Sequence, residues 1–129
     1  MTLSVDTLTI DCHDPKLVAD FWCVALGYGL DELGDEDAVI LPAGGVGWTL
    51  LFQFVPEGKT IKNRIHLDLR PSGSMAEEVA RLEAAGATSL RRVDEGGIFW
   101  TVMADPEGNE LCVLRGPDDG WTPQAGILA

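Results

Sequence analysis

The sequence predicts an α+β fold made of two β-α-β-β-β modules. Three observations predict it. A strand pattern of period two followed by a capped amphipathic helix occurs twice. Each pair is followed by three further strand segments. The two copies also keep a constant offset: Thr7 and His66, Gly27 and Gly86, and Gln53 and Cys112 each lie 59 residues apart. Leu8 with Leu67, Ile10 with Leu69, Phe52 with Leu111 and Phe54 with Val113 share that offset and keep apolar character.

The elements follow in order. Leu3 to Cys12 alternates, with Leu8 and Ile10 on one face and Thr7, Thr9 and Asp11 on the other. Asp14-Pro15 reads as an N-cap followed by proline in the first helical turn, where a missing N–H costs nothing. Leu17, Val18, Phe21, Trp22, Ala25 and Leu26 follow at helical spacing, and Gly27 is placed to end the helix in a left-handed conformation. Tyr28 to Glu32, Ala38 to Leu41 and Trp48 to Val55 are strand candidates. The glycine-rich stretch 44–47 is a turn and not a phosphate loop, because no helix and no Lys-Ser/Thr pair follows it. The second copy opens with Arg64 to Arg70, where Ile65, Leu67 and Leu69 share one face and His66 and Asp68 the other. Ser74 and Glu77 have capping-box spacing, Met75, Val79 and Leu82 form the apolar stripe, and Gly86 is placed to close the helix. Ser89 to Val93, Ile98 to Met103 and Glu110 to Arg115 read as strands, with Asp105-Pro106-Glu107-Gly108 as the turn before the last. One domain spanning 1–129 is expected, with modules at about 1–56 and 62–115 and a tail at 116–129.

Composition narrows the function classes. The chain has 129 residues, 46% of them hydrophobic, enough for a core of its own. Nine Lys+Arg against 21 Asp+Glu give a net charge of −12, which disfavours nucleic acid and anionic membranes as partners. Three cysteines with no C-x-x-C pattern argue against a disulfide framework and for a reducing, cytoplasmic location. No signal peptide or membrane span is expected from the sequence.

If the apolar strand faces meet the helices, each module becomes a curved mixed sheet with its helix on the convex side. The other face then lines a cup. Thr7, Thr9, Gln53, His66, Asp68, Trp100 and Cys112 are the cup residues, and Glu110 shares a face with Cys112. His66 is the candidate base or ligand. Gln53 sits in an otherwise apolar strand, where a buried amide would need a partner. Trp48, Trp100 and Phe52 offer flat faces to a ligand or pack between sheet and helix. Trp121 folds back as a lid or packs at a dimer contact.

The stretches Asp14-Pro15 through Phe21-Trp22 to Leu26-Gly27, then Ile65-His66-Leu67-Asp68-Leu69, then Asp105-Pro106-Glu107-Gly108-Asn109-Glu110-Leu111-Cys112 resemble the vicinal oxygen chelate superfamily. That superfamily holds glyoxalase I, bleomycin-resistance proteins and extradiol dioxygenases. The chain looks most similar to the small glyoxalase-like proteins of bacteria. The resemblance implies a divalent metal in the cup, held at positions carried here by Thr7, Gln53, His66 and Cys112. Only His66 is of the usual ligand type, so no complete metal site and no cofactor are expected. If a divalent metal does bind, thiolate and imidazole favour zinc. The expected function is small-molecule binding of glyoxalase or bleomycin-resistance type. The alternative is a metal-dependent lyase, isomerase or dioxygenase using His66, and a third reading is a domain that serves assembly only. The resemblance also implies a homodimer.

Overall fold

The computed structural model describes residues 2–123. Its elements run β1 (Thr7–Cys12), α1 (Pro15–Leu26), β2 (Tyr28–Leu33), β3 (Asp37–Pro42), β4 (Thr49–Phe54), β5 (Leu67–Leu69), α2 (Met75–Ala84), β6 (Thr88–Glu95), β7 (Ile98–Ala104) and β8 (Glu110–Leu114). A short 3-10 turn follows at Pro117–Asp119. The chain divides into two compact units, Met1–Ile61 with Pro106–Gly108, and Lys62–Asp105 with Asn109–Ala129. Each holds one four-stranded mixed sheet, ordered β1-β4-β3-β2 and β5-β8-β7-β6. The order is the same twice: the first strand pairs parallel with the last, and the rest pair antiparallel. This is the α+β architecture of two β-α-β-β-β modules that the sequence predicts. No helix among the described residues is long and apolar enough to cross a membrane.

In the first unit, α1 covers one sheet face. Asp14 accepts from the Leu17 amide at 3.1 Å, Pro15 opens the helix, and Gly27 ends it at φ 69°, where a Cβ would be strained. Val18, Ala19, Phe21 and Trp22 are buried against Leu50, Phe52, Ala38 and Ile40. Phe52 is therefore core, and does not line a cup. Gln53 points the other way and is exposed, level with Asp11 and Asp37 in the register, so its amide needs no protein partner. The first strand starts at Thr7 rather than Leu3, which is fully exposed.

In the second unit, α2 covers Met103, Leu111 and Val113 with Met75 and Leu82. Thr101 donates its hydroxyl to the Met75 sulfur at 3.5 Å on this same buried face. The last helical residue is Ala84 and the C-cap is Ala85; Gly86, the expected terminator, follows at φ 115°. All three cysteines are free thiols.

The residues after β8 dock back onto α2. Asp119 accepts from the amides of Met75 (2.7 Å) and Gly116 (2.8 Å), and Ser74 accepts from Glu77 (3.2 Å), so the helix N-terminus gains two acceptors. Gly116 has no room for a side chain: a Cβ there would lie 2.1 Å from the Gly73 carbonyl oxygen. Trp121 lies 4.1 Å over the Arg70 guanidinium, so it packs on its own unit. Residues 124–129 of the expected tail lie outside the described residues.

The two backbone amides hold the Asp119 carboxyl below its ordinary range. A depressed carboxyl stabilises the fold above its unfolded pKa, near 4, and loses that contribution as pH falls through the folded value. Asp119→Ala is expected to cost about 1 kcal/mol at pH 7, the usual worth of a helix cap. Urea titrations should show that difference shrinking steadily below about pH 4.

Candidate functional site

A strand has two faces, and α2 covers one face of the second sheet. The register puts Asp68, Cys112, Val102 and Arg91 side by side on the other. The next row carries Leu114, Trp100 and Val93. Together with Lys62, His66, Arg70, Glu95, Ile98 and Glu110 they line a concavity of about 620 Å³. Its middle is apolar and its two edges are polar, the usual composition of a small-molecule site.

The polar edge on the β5 side is built from three side chains. His66 sits one residue before β5, because the observed strand is shorter than the Arg64 to Arg70 stretch expected from the sequence, and Asp68 lies within it. The His66 Nδ1 is 3.2 Å from Asp68 Oδ1 and 3.8 Å from Cys112 Sγ. A proton on Nδ1 is donated to Asp68, which leaves Nε2 as the ring acceptor. Burial pushes the Cys112 thiol up to about 11, and the Asp68 charge and hydrogen bond add to that, while Lys62 and Arg91 oppose it. Cys112 is therefore a thiol at neutral pH and not a ready nucleophile.

The remaining charges on this edge are matched. Glu110 is nearly buried, with its carboxylate 3.0 Å from Lys62 Nζ and accepting from the Asn63 amide at 2.8 Å. Arg70 donates to the Arg115 carbonyl at 2.6 Å. Burial and Arg115 lower its pKa, and Asp68 opposes that shift. The turn between β7 and β8 sets where Glu110 and Cys112 begin: buried Asp105 accepts from both the amide and the side chain of Asn109, each at 3.0 Å.

The structure thus gathers His66, Asp68, Trp100, Glu110 and Cys112 around one concavity. Thr7, Thr9 and Gln53 lie on the helix-free face of the first sheet, within the other unit. Thr7 donates its hydroxyl to Asp6 at 2.7 Å. Trp48 precedes β4 and is half exposed. His13 is exposed, 5.4 Å from the Phe54 ring.

Sequence reasoning missed Lys62, Arg70 and Arg91. Arg70 was within reach, because it continues the His66-Asp68 alternation. Arg91 was not. A register shift between Ser89 and Arg91 inserts Leu90 as an extra residue, so Ser89 sits opposite buried Met103 while Arg91 sits opposite Val102. Strict alternation would have kept the two on one face.

The glyoxalase-like domain family matches residues 7–114. The chain belongs to that family. Solved structures agree on the fold. A fosfomycin resistance protein, FosX, from Listeria monocytogenes, solved with Mn(II) and 1S,2S-dihydroxypropylphosphonic acid, superposes with a TM-score of 0.71 at 14% identity, covering 90% of this chain and 92% of that one. A glyoxalase-related enzyme from Fulvimarina pelagi gives 0.67 at 20% identity, covering 96% and 94%. A glyoxalase/bleomycin resistance protein/dioxygenase family enzyme from Burkholderia phytofirmans gives 0.66 at 18%, covering 84% and 97%. No curated protein matches the chain.

The Asp68 charge helps hold Cys112 protonated, so removing it frees thiolate. Cys112 of Asp68→Asn is expected to be alkylated by iodoacetamide at pH 8 several times faster than in the wild type. Peptide-resolved mass spectrometry measures both rates; equal rates would contradict this account.

Proposed function

We propose that this glyoxalase-like protein binds a small organic molecule on the helix-free face of its second sheet. One observation supports the reading above the others: imidazole, carboxylate and thiol converge at one edge of a concavity whose floor is apolar. Such a site orients a ligand by its polar end and holds its body by burial. His66 is the anchor, because its Nε2 is the ring atom that Asp68 leaves for a ligand. The same proposal takes the protein as a cytoplasmic homodimer.

A second reading is metal-dependent lyase, isomerase or dioxygenase chemistry. The donor atoms of His66, Asp68 and Cys112 all lie within 4.8 Å of one another. This nitrogen, oxygen and sulfur set fits a borderline-soft divalent cation such as zinc better than magnesium or manganese. Such an ion would be held by those three side chains and would supply Lewis-acid polarisation of a ligand oxygen. FosX was solved with Mn(II), which supports a metal in the family without assigning one here. The primary reading is favoured because the three groups already satisfy one another, and the thiol must lose a proton held at about 11 before it can ligate.

Thermal-shift screening against a small-molecule library separates the two. Hits are expected to stabilise the wild type equally with and without EDTA, and to lose most of that shift in His66→Ala. Stabilisation that vanishes in EDTA and returns with one equivalent of zinc would establish the metal reading instead.

A further inference from the structure

We propose that the ligand of this site is an anion with an apolar or aromatic body, its negative group received by Arg91. The inference rests on the binding site proposed above and names the ligand class. It starts from the bulge. Without the bulge, the same residues in regular register would put Leu90 opposite Val102 and turn Arg91 toward the face that α2 covers. With it, Arg91 stands in the row of Asp68, Cys112 and Val102, above the concavity. The first sheet carries the same irregularity between Leu30 and Glu32, which lie 59 residues before Ser89 and Arg91. The bulge is thus part of the module, and the second module uses it to aim a guanidinium.

Arg91 is also the cation that the site leaves unmatched. Lys62 is paired with Glu110, and Arg70 is held by the Arg115 carbonyl and the Trp121 ring. The neighbouring Arg92, on the opposite face, lies over Phe99 at 4.5 Å and is 4.0 Å from Asp94. The Arg91 guanidinium makes no hydrogen bond or ion pair among the described residues, yet its charge reaches the Cys112 thiol. Glu95, the acid on the same face of its strand, lies four residues on, about 13 Å away. An exposed guanidinium with a planar donor fork suits a carboxylate or phosphonate.

The floor gives the rest of the ligand. Between Arg91 and the His66 edge lie Val93, Val102, Leu114 and the Trp100 ring. From β6 to β5 is three strand spacings, about 14 Å. A molecule with one or two rings spans that floor with its anion at Arg91 and its other end at His66. The net charge of −12 does not forbid this: charges more than about 10 Å away are screened at physiological salt, and within the concavity Lys62, Arg70 and Arg91 offset Asp68, Glu95 and Glu110.

The test uses matched acids and neutral amides: benzoate, 4-hydroxyphenylacetate and 1-naphthaleneacetate against their amides. Binding is followed by the Trp100 indole N–H resonance, assigned with Trp100→Phe. At least one acid is expected to move that resonance and to bind at least tenfold more tightly than its amide. Arg91→Gln should erase the difference while leaving the amide unchanged, and Arg91→Lys should restore part of it. If amides bind as tightly as acids, the anion proposal falls and the small-molecule site stands. If no probe of either kind moves the Trp100 resonance, both fall.

Discussion

The second sheet is covered by a helix on one face only, and the alternation of its strands sorts every side chain to one face or the other. Met103, Leu111 and Val113 go to α2 and are fully buried. Val102, Cys112 and Asp68 go to the open face, and with them the chemistry. A shift of one residue in register would exchange these sets, placing carboxylate and guanidinium in the core. The burial of the apolar set therefore holds the polar set in place. Beyond the strands, the site depends only on the turn between β7 and β8 and on the residues that carry Lys62 and His66 up to β5.

The same constraint explains what could be read in advance. Element order, the α1 caps, the module offset and the face carrying His66 and Asp68 follow from local pattern, since helix and strand periods differ and Asp14-Pro15 and Gly27 mark their ends. Burial was less legible. Gln53, an amide among apolar neighbours, looked like a buried group in need of a partner; its face of the first sheet is open and Gln53 is exposed. Phe52, one residue earlier, could have met a ligand or packed between sheet and helix, and it is locked under α1. Arg91 was hidden for a different reason. A bulge is a property of pairing between two strands, and no pattern within Ser89 to Val93 announces it.

Charge behaves as a local quantity in this protein. Its acidic excess of −12 acts at long range, but the concavity is a set of short-range matches. Glu110 is satisfied by Lys62 and the Asn63 amide, Asp68 by His66, and Asp119 by the backbone at the head of α2. The thiol of Cys112 stays protonated because it is buried beside a carboxylate. These matches leave His66 and Arg91, at opposite edges of an apolar floor, as the groups proposed to meet a ligand.

The open face of the second sheet is where a small molecule is proposed to seat. Methyl-labelled leucine and valine resonances report the two faces separately. Titrated with a fragment library, the methyl groups of Val93, Val102 and Leu114 are predicted to shift while those of Leu69, Leu111 and Val113 stay still. Shifts confined to the second group, or confined to leucines and valines of the first unit, would contradict the account.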